Sequence, residues 1–226
     1  MKFPTNRLFC SFLLLFNGLA YVSLAQAELA DISRIFHQKP TLNQFEICQG
    51  GGCYQADKTS LSDTDWLPVA KIFSPLANNA EEERKKIALA IGVLEEIVGK
   101  KIGTDGDLAG TFDNSDYKGQ QDCNDEAINS TTYMRLLQQA GYLKFHEIED
   151  MRTRNFFFTG WPHTTAVIRE SKTGNRYAVD SWFYDNGHAA TIVPFATWKA
   201  NYKPADSPIG KVRSKPENIQ AVHTNQ

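Results

Sequence analysis

The order of apolar and polar positions divides the chain in two, with helix-spaced stripes up to residue 140 and strand-like alternation after it. Asp65 to Phe73 reads as a short helix, capped by Ser62 or Asp63 and stopped by Pro75. A stronger helix follows. Asn78 or Asn79 caps it, Glu81, Glu82 and Glu83 suit its positive end, and Ile87, Ala90, Ile91, Leu94, Ile97 and Val98 form one apolar stripe that Gly99 is expected to end. The third helix spans Asp122 to Ala140, with Asp122 as cap, Asp125 at the third helical position, and Ala127, Ile128, Thr131, Met134, Leu137 and Ala140 facing inward before Gly141 closes it. Strands are predicted at Gln44 to Cys48, Lys144 to Glu149, Asn155 to Thr159, His163 to Glu170, Arg176 to Phe183 and Thr191 to Pro194, with a short helix around Trp198. The fold class is therefore α+β: a helical N-terminal half packed on an antiparallel sheet.

Composition adjusts this picture at the ends. The 226 residues are 42% hydrophobic and 22% charged with a net charge of −2, which excludes a disordered chain and leaves no cationic excess for nucleic acid. Residues 1–27 carry Lys2 and Arg7, no acid, the apolar run Leu8 to Phe16, and small residues at Ala25-Gln26-Ala27, the three parts of an export signal. Asn17 and Gly18 interrupt the run, so it is short for a membrane span. Cleavage after Ala27 would leave a soluble, periplasmic or secreted chain of 199 residues with a formal charge of −4. Residues 28–202 then form one domain, and 203–226, a polar stretch with Pro204, Pro208 and Pro216, form a loosely ordered tail.

Export changes the meaning of the cysteines, because thiols in an oxidising compartment tend to pair. Cys10 leaves with the signal. Cys48 and Cys53 flank Gln49-Gly50-Gly51-Gly52, which lets the chain reverse, and are expected to form a disulfide. Cys123 remains as a free thiol in the first turn of the third helix, where the peptide dipoles favour thiolate. Asp122, Asp125 and Glu126 oppose that unless capping consumes them, so a cationic partner is required.

Among five histidines, His37 and His223 read as surface residues in polar terminal segments, His188 sits just after a turn, and His146 reads as a structural one on its strand. His163, opening the strand Thr164 to Ile168, is the candidate base. Asp180 is the candidate orienting acid. With a four-residue loop from Ser171 to Gly174, Glu170 pairs with Asn175 and Asp180 opposes Thr165, on the face shared with His163. A three-residue loop would put Asp180 on the other face. No His-Glu-x-x-His set is present, and no metal ligand set is assigned.

The order Cys, His, Asp resembles the transglutaminase-like and papain-like cysteine enzyme superfamily. Asp122-Cys123-Asn124-Asp125-Glu126-Ala127, His163 to Ile168 and Tyr177-Ala178-Val179-Asp180 are similar to the nucleophile helix, His strand and Asp strand of bacterial transglutaminase-like cysteine proteinases, over roughly residues 79–200. The resemblance implies Cys123 as nucleophile, His163 as general base and acid, and Asp180 as orienting acid, acting on an amide bond of a protein or peptide through a thioester. Hydrolysis is favoured over acyl transfer to an amine. Gln120 or Gln121 would add an oxyanion donor beside the Cys123 N–H. No cofactor is implied except, in members that cleave surface adhesins, calcium, for which Asp125 and the loop acids Asp105, Asp107, Asp113 and Asp116 are the counterparts here; the loop itself reads as solvated. The alternative is a non-catalytic binding or scaffold module of the cell envelope.

Overall fold

The computed structural model describes residues 33–112, 118–155 and 162–210. The expected export signal, the loop acids Asp113 and Asp116, the strand expected at Asn155 to Thr159 apart from Asn155, His223 and the end of the tail lie outside them. Residues 33–38 belong to a separate unit and carry one helical stretch over 33–37.

The body, from Lys39 onward, is mixed helix and antiparallel sheet. Strands β1 (Phe45–Gln49) and β2 (Gln55–Thr59) form a hairpin. Helix α1 (Asp63–Ile72) starts on a Ser62–Asp65 capping box. Helix α2 (Ala80–Ile102) is capped by Asn79 and runs to Gly103, past the expected stop at Gly99. Gly99 lies inside it because the Asp105 backbone packs there: an added Cβ would sit 2.9 Å from the Asp105 nitrogen. Helix α3 (Cys123–Gln139) ends at Ala140. The sheet is β3 (His146–Arg154), β4 (His163–Glu170), β5 (Arg176–Asp180) and β6 (Thr191–Pro194), in that spatial order and antiparallel throughout, followed by the short helix α4 (Phe195–Lys199).

The main core joins Ile87, Ile91 and Leu94 of α2, Met134 and Leu137 of α3, and Phe45 and Ile47 of β1 to Ala166, Ile168 and Val179 on one sheet face. A smaller cluster of Ala178, Phe183 and Trp198 covers the other face. Strand β5 ends at Asp180, earlier than the expected Phe183, because Trp182 and Phe183 turn away into that second cluster. The start of the tail is held rather than loose: Ser207 is buried and donates to the Phe183 carbonyl at 2.8 Å. Among the described residues no helix is long and apolar enough to cross a membrane.

Candidate active site

The loop length that decides the His–Asp geometry is four residues. Glu170 N–H donates to Asn175 O at 2.8 Å, and Ala166 pairs with Val179 and Arg169 with Arg176. Alternation from that register puts His163, Thr165, Ala178 and Asp180 on one face. His163 Nε2 and Asp180 Oδ2 are 2.7 Å apart, and both side chains are buried.

A third group fixes which atom carries the proton. The Trp198 indole N–H donates to the same Asp180 Oδ2 at 2.6 Å. A carboxylate that accepts from one donor accepts from His163 as well, so Nε2 carries the hydrogen and a neutral ring keeps its lone pair on Nδ1. That nitrogen is buried and has no hydrogen-bond partner among the described residues. Trp182, with its ring centroid 4.5 Å from His163, packs on the imidazole, and Phe183 and Trp198 sit behind it.

Cys123 is the first residue of α3 and is buried. Asp122 caps the helix and forms a capping box with Asp125, so these acids are spent on backbone N–H groups, as the thiol requires. The Thr164 backbone N–H, one residue beyond His163, lies against the sulfur and favours its charged form. Burial outweighs that. It pushes the Cys123 thiol up to about 12, with repulsion from Asp122 and Asp180 added. The resting group is a neutral thiol.

Arg154, the cross-strand partner of His163, brings positive charge to the same place. Its guanidinium stacks over Trp198 at 4.6 Å and donates to the carbonyls of Trp198 and Tyr202. Burial draws its pKa down from the ordinary value, and the charges of Asp180 and Cys123 oppose the shift.

The remaining candidates fall elsewhere. The Gln120 amide donates to Gly106 O and its carbonyl accepts from Leu108 N–H and Thr111. Gln121 donates to Cys48 O at 2.9 Å. Both side chains are thus engaged within the fold. His146 is satisfied at both nitrogens, by Glu83 and Arg84, and His188 stacks on Tyr184. Cys48 and Cys53 are disulfide-bonded.

Calcium does not fit the acids beside the thiol. Both Asp125 oxygens accept N–H donors, from Gly51, Cys53 and Asp122, and both Asp122 oxygens do the same, from Gly52, Asn124 and Asp125. Among the described residues the one trio with ligand atoms near enough together for a metal is Cys48, Cys53 and Asp125, whose sulfurs are bonded to each other.

Sequence reasoning missed Trp198 as a donor and Arg154 altogether. It also missed a set of carboxyls behind the site: Glu126 hydrogen-bonds with Asp107, Glu95 and Ser181, all buried. Asp107, expected in a solvated loop, is buried there because its carboxylate also accepts the Gln121 N–H at 2.7 Å. Glu126 offered a signal, an acid three residues after Cys123 on a helix turn otherwise facing the core.

No family model matches this chain, and no curated protein or solved structure matches it either.

Proposed function

We propose that this protein is an exported thiol enzyme that attacks an amide carbonyl of a protein or peptide through Cys123. The buried, unpartnered Nδ1 of His163, held as an acceptor by the Asp180 bond on the opposite nitrogen, is the observation that carries this reading. As the Cys123 sulfur bonds to the carbonyl carbon, its proton passes to Nδ1, and Asp180 stabilises the imidazolium. The imidazolium then gives that proton to the leaving amine, which departs as the thioester forms. Water, deprotonated by the same nitrogen, attacks the thioester carbon and releases the acid and the thiol. An amine in place of water would give acyl transfer. The Cys123 N–H at the helix start is the donor available to the oxyanion.

A second reading has its own support: a thiol pushed up to about 12 by burial suits a non-catalytic module that keeps the cysteine as a core residue. Site-resolved alkylation by iodoacetamide separates the two. With assistance from His163, Cys123 reacts at pH 7 far faster than so weakly acidic a thiol permits, and His163→Ala abolishes the excess. A slow wild type that His163→Ala leaves unchanged would establish the non-catalytic module. Acylating amide and ester probes, with Cys123→Ser as control, then report whether a thioester forms.

A further inference from the structure

The loop between Cys48 and Cys53 is buried at Cys48 and Gln49 and half-buried beyond them, and its backbone is tied to the helix that carries the thiol and to the approach to that helix. Four successive backbone N–H groups point at that helix and its approach: Gly50 to Gln120 O at 2.9 Å, Gly51 to Asp125 Oδ2 at 2.8 Å, Gly52 to Asp122 Oδ2 at 3.0 Å, and Cys53 to Asp125 Oδ1 at 2.6 Å. One turn further along α3, Asn129 grips the Cys48 backbone at both ends, accepting its N–H at 2.8 Å and donating to its carbonyl at 2.9 Å. Cys123 lies inside the first of these attachments, between Asp122 and Asp125. We propose that the Cys48–Cys53 disulfide loop is a positioning element for the Cys123 nucleophile, so that the site is competent only after this disulfide has formed. The proposal rests on the thiol-enzyme reading given above.

Two physical points support it. Gly50, Gly51, Gly52 and Cys53 have φ of 86°, 85°, 57° and 61°, four consecutive residues in the left-handed region. An open chain visits such a run rarely, and the cross-link removes most of the alternatives. The second point is electrostatic. Asp122 and Asp125 flank the thiol along the chain, and the loop N–H groups donate to both carboxylates and so hold them in place at the helix start. Releasing the loop removes three of those bonds together and leaves both carboxylates free to move about the helix start that carries the thiol.

The chemistry balances as ordinary thiol–disulfide exchange. A thiolate of the pair attacks an oxidant of the disulfide class, the mixed disulfide is displaced by the second cysteine, and the two electrons and two protons of the pair end on the reduced oxidant. Dithiothreitol reverses it. Cys123 must stay a thiol while Cys48 and Cys53 are joined, a combination that a reducing compartment does not maintain. The enzyme would thus be silent before export.

The test compares the mature chain with its Cys48→Ser/Cys53→Ser variant, each with and without His163→Ala. Amide hydrogen exchange over residues 122–130 should speed up by about tenfold in the double variant, the size expected for a lost helix cap. The ratio of Cys123 alkylation rates with and without His163 should fall toward one. Unchanged exchange over 122–130 overturns the positioning role whatever the alkylation shows. Absence of any His163 dependence in the wild type overturns the thiol-enzyme reading instead, and the exchange result still judges the loop. Should the double variant not fold, the wild type is reduced with dithiothreitol and reoxidised with glutathione disulfide under circular dichroism. Loss and recovery of the His163 dependence with the far-UV spectrum intact supports the proposal; unfolding of the whole domain on reduction overturns it.

Discussion

Glu126→Gln tests the carboxyl set behind the site. Glu126 is fully buried, and burial pushes its carboxyl up to about 7, with repulsion from Asp180 added and hydrogen bonds from Ser181, Asp107 and Glu95 opposing. Glu95 on α2 and Asp107 in the loop before α3 are themselves raised well above the usual carboxylate range, first by burial and then by Glu126. A shift from 4.5 to about 7 corresponds to about 3 kcal/mol in favour of the protonated form. The sign follows from proton counting. Between about pH 4.5 and 7 the native state holds a proton that the unfolded chain has lost, so stability falls as pH rises through that window and stays lower above it. Glutamine keeps one donor and one acceptor but cannot ionise. The variant should match the wild type near pH 5 and exceed it at pH 8 by up to about 3 kcal/mol, roughly 6–12 °C in Tm for a domain of this size. Urea unfolding followed by tryptophan fluorescence from pH 5 to 8 measures both curves. A wild-type stability that is flat or rising over that range, or a variant weaker than wild type at pH 8, would refute the reasoning. Asp125, also pushed up to about 7 by burial and by Asp122, contributes a slope of the same sign that this substitution leaves in place.

Other substitutions probe the supports. Trp198→Phe keeps an aromatic ring, though a smaller one, but removes the indole donor to Asp180, and should cost about 1–3 kcal/mol in denaturant unfolding; it should also slow His163-dependent alkylation of Cys123, which a purely structural loss would leave alone in the folded fraction. Glu83→Gln disturbs an acceptor of the Lys144 and Phe145 N–H groups and of His146, the Glu83 and His146 side chains both being buried, and should lower unfolding free energy by about 3 kcal/mol with no effect on alkylation of the folded protein. Gly92→Ala would place a Cβ 2.8 Å from the Gly187 carbonyl oxygen and from the His188 backbone, and should cost about 1–3 kcal/mol by calorimetry.

What was legible in the sequence was what depends on neighbours along the chain. The Asp122 cap and the glycine after Ala140 place Cys123 at a helix start from local chemistry alone. The β4–β5 register followed from counting the residues between two alternating runs, and with it the pairing of His163 and Asp180. Elements whose stability comes from distant partners were illegible. Gln55–Thr59 is polar and mostly exposed, so nothing in its pattern marks it as a strand; it pairs with β1 across the disulfide turn. Gly99 looked like a stop because a missing side chain reads locally as freedom, whereas here it admits another stretch of backbone. Trp198 became a donor to Asp180 only through the return of the chain after β6.

The acids around the thiol show why local reading stops short of the chemistry. Asp122, Asp125, Glu126 and Asp180 are all close enough to matter, and in an unstructured chain the first three would simply disfavour a thiolate. Folding answers each charge by a different route. Asp122 and Asp125 are occupied by N–H groups of the helix start and the disulfide loop. Glu126 is pushed toward its neutral form by burial among other carboxyls. Asp180 meets two ring N–H donors, and through one of them its charge is put to use on His163. What remains against ionisation of Cys123 is mainly its own burial, and a thiol pushed up to about 12 forms no ion pair at rest. In the thiol-enzyme mechanism we propose, the proton transfer to Nδ1 therefore accompanies attack on the substrate rather than preceding it. A site built this way depends on the fixed orientation of the ring more than on the acidity of the sulfur.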